Sequence, residues 1–167
     1  MTTSERIRRP VLWIIAVGAV AALVAGLYLF QPWRLFTTER VDEAVAVAPG
    51  GSQLRSLASG SFVSHEHSTS GTVELQQQPD GTAIVRITDL RTSDGPALHV
   101  WLSDQPVAGD GSNLDDGRHV DLGSLKGNEG NQNYTVPAGT DSAAFPTVVI
   151  WCERFSVSFG AAALTAT

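Results

Sequence analysis

The sequence predicts an all-β domain, an antiparallel β-sandwich or barrel, carried behind one N-terminal transmembrane helix. Three observations lead there. Val11 to Phe30 runs without a single charge. From about Gly60 to Leu164, short apolar alternations are separated by Gly, Pro, Asn and Asp clusters, with no helix-period stretch of useful length. That second stretch holds roughly a hundred residues, enough to bury one core and no more.

The apolar run VLWIIAVGAVAALVAGLYLF would span roughly 30 Å as a helix, the thickness of a bilayer hydrocarbon core. Trp13, Tyr28 and Trp33 lie near its ends, where amphipathic rings favour the interface, and Pro32 suits a helix exit. The run is longer than the core of a cleaved signal, and the nearest small-residue pattern, Ala44-Val45-Ala46, lies far downstream. An uncleaved anchor over residues 11–30 is therefore expected. Arg6, Arg8 and Arg9 precede it, which argues for a cytoplasmic tail over 1–10 and an extracytoplasmic C-terminal part at the cell membrane.

Residues 31–58 read as a stalk, punctuated by Pro49-Gly50-Gly51-Ser52. The β domain is expected over 59–165. Thr72 to Gln76 alternates polar and apolar residues, and Pro79-Asp80-Gly81 makes a hairpin turn into Thr82 to Leu90. Ser93-Asp94-Gly95-Pro96 turns the chain into Ala97 to Ser103, with Leu98, Val100 and Leu102 on one face and His99 and Trp101 on the other. An acidic loop covers 104–117. His119 to Leu122 and Asn133 to Val136 are short strands, and Thr147 to Phe159 reads as one long final strand.

Sixteen acidic residues against eight basic ones follow Phe30. That balance argues against nucleic acid and against an anionic membrane surface as partners of the domain. Nothing matches a nucleophile elbow or a phosphate-binding loop, so no enzyme class is assigned.

Cys152 is the only cysteine. An exported thiol normally finds a disulfide partner, and this one has none in its own chain. It is a packed small hydrophobe, an intermolecular link, or a redox or cofactor group. If the last strand is unbroken, Val149, Trp151, Phe155, Val157 and Phe159 form the main core face, and Cys152 lies opposite, beside Arg154. If a bulge at Glu153-Arg154 shifts the register, Cys152 joins a core with Phe155 and Phe159.

Covalent haem lacks its C-x-x-C-H motif, and an iron–sulfur cluster lacks its thiolates. Non-covalent haem on Cys152 would need a deep apolar pocket. Copper is disfavoured because no histidine follows Cys152. His65 and His67 offer a two-ligand start for a metal, with an exposed strand edge as the simpler reading. His99 would approach Cys152 if their strands pair, making it a second cofactor-binding candidate, with core packing of a satisfied imidazole as the simpler reading. Asp110, Asp115 and Asp116 do not match a calcium loop. No metal site is expected.

Several stretches together resemble the DM13 domain family. They are Gly60-Ser61-Phe62, His67 to Gly71, Gly95 to Ser103, Leu122 to Asn128 with Gln132-Asn133-Tyr134, and Val149 to Cys152 leading to Phe159-Gly160. The acidic loop near Asp110 fits no family pattern. The resemblance implies an extracytoplasmic all-β electron-transfer module whose characteristic cysteine falls on Cys152, acting as a free thiol or as a ligand to a prosthetic group such as haem. An envelope redox protein would then be its partner. The rival expectation is a non-catalytic cell-envelope binding module in which Cys152 only fills space.

Overall fold

A computed structural model of the chain describes residues 3–47, 51 and 54–167. It divides into two units, residues 1–34 and 35–167. The first is helix α1, Thr3–Phe30, followed by a short 3-10 turn at Pro32–Phe36. Its stretch Val11–Arg34 is long and apolar enough to cross a membrane, with a mean hydropathy of 2.4. Its apolar side chains from Val11 to Phe30 are largely exposed.

The second unit is one curled, ten-stranded sheet, so the all-β expectation holds. Its strands are β1 (Arg40–Asp42), β2 (Arg55–Ser64), β3 (Ser70–Gln77), β4 (Ala83–Arg91), β5 (Leu98–Ser103), β6 (His119–Ser124), β7 (Glu129–Thr135), β8 (Thr147–Cys152), β9 (Val157–Ala163) and β10 (Thr165–Ala166). They follow the order β1-β7-β4-β3-β2-β9-β8-β5-β6, with β10 paired to β2. All pairs are antiparallel except β1 with β7, which is parallel.

β2 is what lets one sheet enclose a core. Its first part pairs with β3 and its last residues, Phe62 to Ser64, pair with β9. The partner change falls between Ser61 and Phe62, just after Gly60, where a Cβ would lie 2.2 Å from the Ala163 carbonyl oxygen. Only glycine allows that approach at a corner. Inside the curl, Val73, Val85, Ile87, Leu98, Val100, Leu102, Val148, Ile150, Cys152 and Phe159 form the main core.

The final strand is not continuous, but Cys152 does join the core with Phe159, as the shifted-register alternative expects, while Phe155 is exposed. The chain reverses after Cys152, and β8 and β9 form a hairpin in which Cys152 opposes Val157. Residues Glu153 to Ser156 make an exposed turn. Glu153, Arg154 and Ser156 are polar, and Ser156 adopts a left-handed φ of 51° that closes the reversal. The core face is also the opposite of the one expected for an unbroken strand. Val148, Ile150 and Cys152 face the main core, whereas Val149 and Trp151 join Trp101, Leu114 and Ala161 in a second cluster. Every residue of β8 is buried, because the loop over 104–118 covers the outer face with Leu114 and Val107. Two-sided burial defeats a reading based on alternation.

Part of the segment read as a stalk also folds. β1 runs parallel to β7, and Glu43 Oε1 meets Lys126 Nζ at 2.7 Å while its Oε2 accepts the Asn133 N–H at 2.7 Å. Partial burial works to raise the Glu43 pKa, but the Lys126 and Asn133 hydrogen bonds outweigh it and hold the carboxyl below its ordinary value. The buried Arg86 donates from Nη1 to the Glu43 and Ala44 carbonyls at 2.8 and 3.1 Å. Residues 48–50 and 52–53 of the stalk lie outside the described residues.

This docking is testable at Gly130, which has φ 102° and where a Cβ would lie 2.0 Å from the Val41 carbonyl oxygen. Gly130→Ala is expected to cost about 2 kcal/mol or more, read by chemical denaturation, because both the conformation and the β1 contact forbid the methyl group. An unchanged midpoint would mean that β1 does not rest there.

Candidate functional site

Cys152 ends β8 and has no exposed surface. Its thiol donates to the Pro96 carbonyl oxygen at 3.3 Å. Burial pushes the thiol pKa up from its ordinary 9.0, and the Phe155 and Arg154 backbone N–H groups and the Arg154 charge pull against that, without overcoming it. At neutral pH the group is a protonated thiol.

Two turns lie over the sulfur. One is Glu153 to Ser156, which supplies those N–H groups. The other is Gly95-Pro96-Ala97, which supplies the carbonyl and is tied to the first by the Glu153 N–H donating to the Ala97 carbonyl at 3.0 Å. Each turn holds a non-glycine residue in the left-handed region, Ser156 at φ 51° and Ala97 at φ 61°. Such conformations cost roughly 1–2 kcal/mol each and concentrate at functional positions. The sequence announced the cysteine but not its cover, because Ser and Ala are not residues that mark such turns.

His99 does not join Cys152. The two strands pair as expected, but Leu98 opposes Cys152 while His99 opposes Trp151. Leu98 and Cys152 share the main core, so His99 points to the other side of the sheet. There its Nδ1 lies 3.1 and 3.0 Å from the Asp121 carboxylate oxygens and 3.6 Å from Glu153 Oε1. Asp121 and Glu153 carried no sequence signal, since one sits on β6 and the other in the turn after β8.

The cofactor expectation meets the same geometry. A haem liganded by Cys152 needs open space on the sulfur, yet the residue's zero exposure leaves no water-sized void against it. An apolar cleft of about 340 Å³ does exist, but it is lined by Leu57, Leu75, Phe145 and Leu164 among others, not by Cys152. Haem does not fit at this cysteine in the folded structure.

The remaining sequence candidates separate. His65 Nδ1 sits 2.7 Å from Ser158 Oγ, whereas the His67 ring packs on Phe159 at 3.9 Å, so the two imidazoles serve different contacts rather than one ligand pair. Asp110, Asp115 and Asp116 belong to no ligand cluster among the described residues. On the outer face, Trp151 stacks on Trp101 at 4.8 Å and Trp101 on His119 at 3.9 Å. This column begins at the residue next to Cys152 and ends at an exposed imidazole.

A curled all-β module with one buried cysteine beneath two strained turns defines the class of protein. A family model described as "Electron transfer DM13" matches residues 61–164, and the chain belongs to the DM13 family. No curated protein and no solved structure matches it.

Two measurements probe the cover. Ser156→Gly relieves the left-handed strain and gives back some of it as unfolded-chain entropy, so a net gain of about 0.5 kcal/mol is expected in thermal or denaturant unfolding. The thiol pKa is raised on folding, so its contribution is complete below the unfolded value and is lost as pH rises above about 9. Wild-type stability should therefore fall faster with pH there than that of Cys152→Ala, by at most about 1.4 kcal/mol per pH unit. Parallel curves from pH 7 to 10 would show that burial does not perturb the thiol.

Proposed function

We propose that this chain is a membrane-tethered, extracytoplasmic electron-transfer module in which the Cys152 sulfur is the reacting group. Family membership supports the electron-transfer role, and the apolar stretch Val11–Arg34, preceded by Arg6, Arg8 and Arg9, supports anchoring with the β domain in the cell envelope. The observation that carries the reading is the cover over Cys152, two turns held closed against backbone strain.

In the closed state the thiol is protonated and inert. Opening of the Glu153–Ser156 turn hydrates the sulfur, removes the desolvation that raises its pKa, and leaves the Arg154 charge nearby to favour the thiolate. The thiolate then attacks the disulfide of an envelope redox partner. A bond forms between Sγ and one partner sulfur, the partner S–S bond breaks, and the departing sulfur takes a proton. With no second cysteine in the chain, a thiolate of a separate, reduced dithiol partner attacks Sγ and releases the first partner as its dithiol. The second thiol of that dithiol then displaces Cys152 as a thiol, so two electrons and two protons pass from the dithiol to the disulfide. No cofactor is required.

The second reading is a non-catalytic envelope binding module with Cys152 as packing, and the sulfur's complete burial favours it. One experiment separates the two. Because Cys152 is the sole cysteine, full-length protein in detergent can be incubated with a small disulfide and followed by intact mass. The redox reading expects one adduct per chain, formed under native conditions and released by a thiol reductant. Modification that appears only once denaturant unfolds the β domain supports the packing reading instead.

A further inference from the structure

On the outer face of the sheet, three potential metal ligands from three separate elements converge: His99 on β5, Asp121 on β6 and Glu153 in the turn after β8. One ligand atom from each lies within 4.8 Å of the others. First-row metal bonds to nitrogen and oxygen of about 2.0–2.2 Å place neighbouring ligands roughly 3.0–3.5 Å apart. The His99 Nδ1 distance of 3.0 Å to Asp121 Oδ2 lies at that separation, and that of 3.6 Å to Glu153 Oε1 lies just beyond it.

Hydrogen bonding alone uses this arrangement poorly. Nδ1 carries at most one proton, and the Glu153 oxygen stands beyond hydrogen-bond distance of it. With a neutral imidazole the two carboxylates leave a local charge of −2, which a divalent cation cancels. The outer contacts suit ligation as well. Ser124 Oγ lies 3.4 Å from Nε2, the ring nitrogen that remains, and Asp121 Oδ1 accepts the Gly123 N–H at 2.8 Å. Partners of this kind orient ligands and fix the imidazole tautomer. The His99 side chain is 18 % exposed and those of Asp121 and Glu153 about half covered, so water has access to complete the coordination shell.

We propose that His99, Asp121 and Glu153 bind a divalent first-row metal ion, and that the bound ion pins the Glu153–Ser156 turn to the sheet. The site lies across the sheet from the thiol, so Cys152 is not a ligand. Its ligand Glu153 is nevertheless the next residue in the chain, and its N–H already ties the two covering turns together. A metal bridging Glu153 to β5 and β6 therefore resists the opening that bares the sulfur. This second part rests on the gated-thiol reading, whereas binding itself does not.

The test uses full-length protein without an affinity tag, in detergent, titrated with Co²⁺ and competed with Zn²⁺. Wild type should develop visible Co²⁺ bands that Zn²⁺ abolishes, and Cys152→Ala should bind equally well. Glu153→Gln and Asp121→Asn, both at exposed positions, should each weaken binding about tenfold or more while keeping the fold by circular dichroism. Asp80→Asn, remote in the β3–β4 turn, should change nothing. In parallel, Zn²⁺ should slow alkylation of Cys152 several-fold in wild type and not in Glu153→Gln. Binding that is absent, or indifferent to both ligand substitutions, overturns the site. Specific binding with an unchanged alkylation rate overturns the pinning. Neither result bears on whether Cys152 exchanges with a disulfide, which the mass measurement reads separately.

Discussion

The register between β5 and β8 is the constraint on which the domain depends. Setting Leu98 opposite Cys152 and Val100 opposite Ile150 sends all four side chains into the main core. The same choice sends His99, Trp101, Val149 and Trp151 to the outer face. A one-residue slip would exchange the two sets and place an imidazole and two indoles in a space filled by aliphatic side chains. The thiol's burial, the aromatic column and the carboxylate–imidazole cluster all follow from that one alignment.

The alignment also explains why the two sides of the sheet differ chemically. The inner side is dry and apolar, and it holds the sulfur as a thiol with a raised pKa. The outer side holds the second apolar cluster of Trp101, Leu114, Val149 and Trp151, with the polar group His99, Asp121 and Glu153 beside it. Glu153 and Cys152 are adjacent in the chain but belong to opposite environments. Any motion of the short turn between β8 and β9 acts on both, which is how a surface ion and a buried thiol come to be coupled over one peptide bond.

The edge of the sheet is secured by a separate device. β7 would present an unpaired edge if β1 did not lie along it, and open edges invite association with other chains. Arg86, Lys126 and Asn133 hold the Glu43 region against that edge from three strands or loops. Buried Arg86 spends its donors on backbone carbonyls and on Asn133 Oδ1, at 3.0 Å, which satisfies a charge that would otherwise be costly inside. The segment after the apolar helix is therefore partly structural rather than a plain tether.

Local pattern carried the sequence reading a long way. Alternation and turn residues located β3, β4 and β5, because each has one apolar face and is bounded by Gly, Pro or Asp. The same logic failed at β8, where both faces are buried, and at the β8–β9 reversal, where Ser rather than Gly takes the left-handed position. β1 was invisible because three residues carry no period and its partner is distant in the chain. Cys152 stood out by being alone, and His99 by its place beside Trp101. What composition and spacing determined was an apolar span, an all-β domain and a single thiol. Only the tertiary structure decided which way that thiol faces, what covers it, and that Asp121 and Glu153 meet His99, because strand register and long-range pairing bring together residues that no local pattern connects.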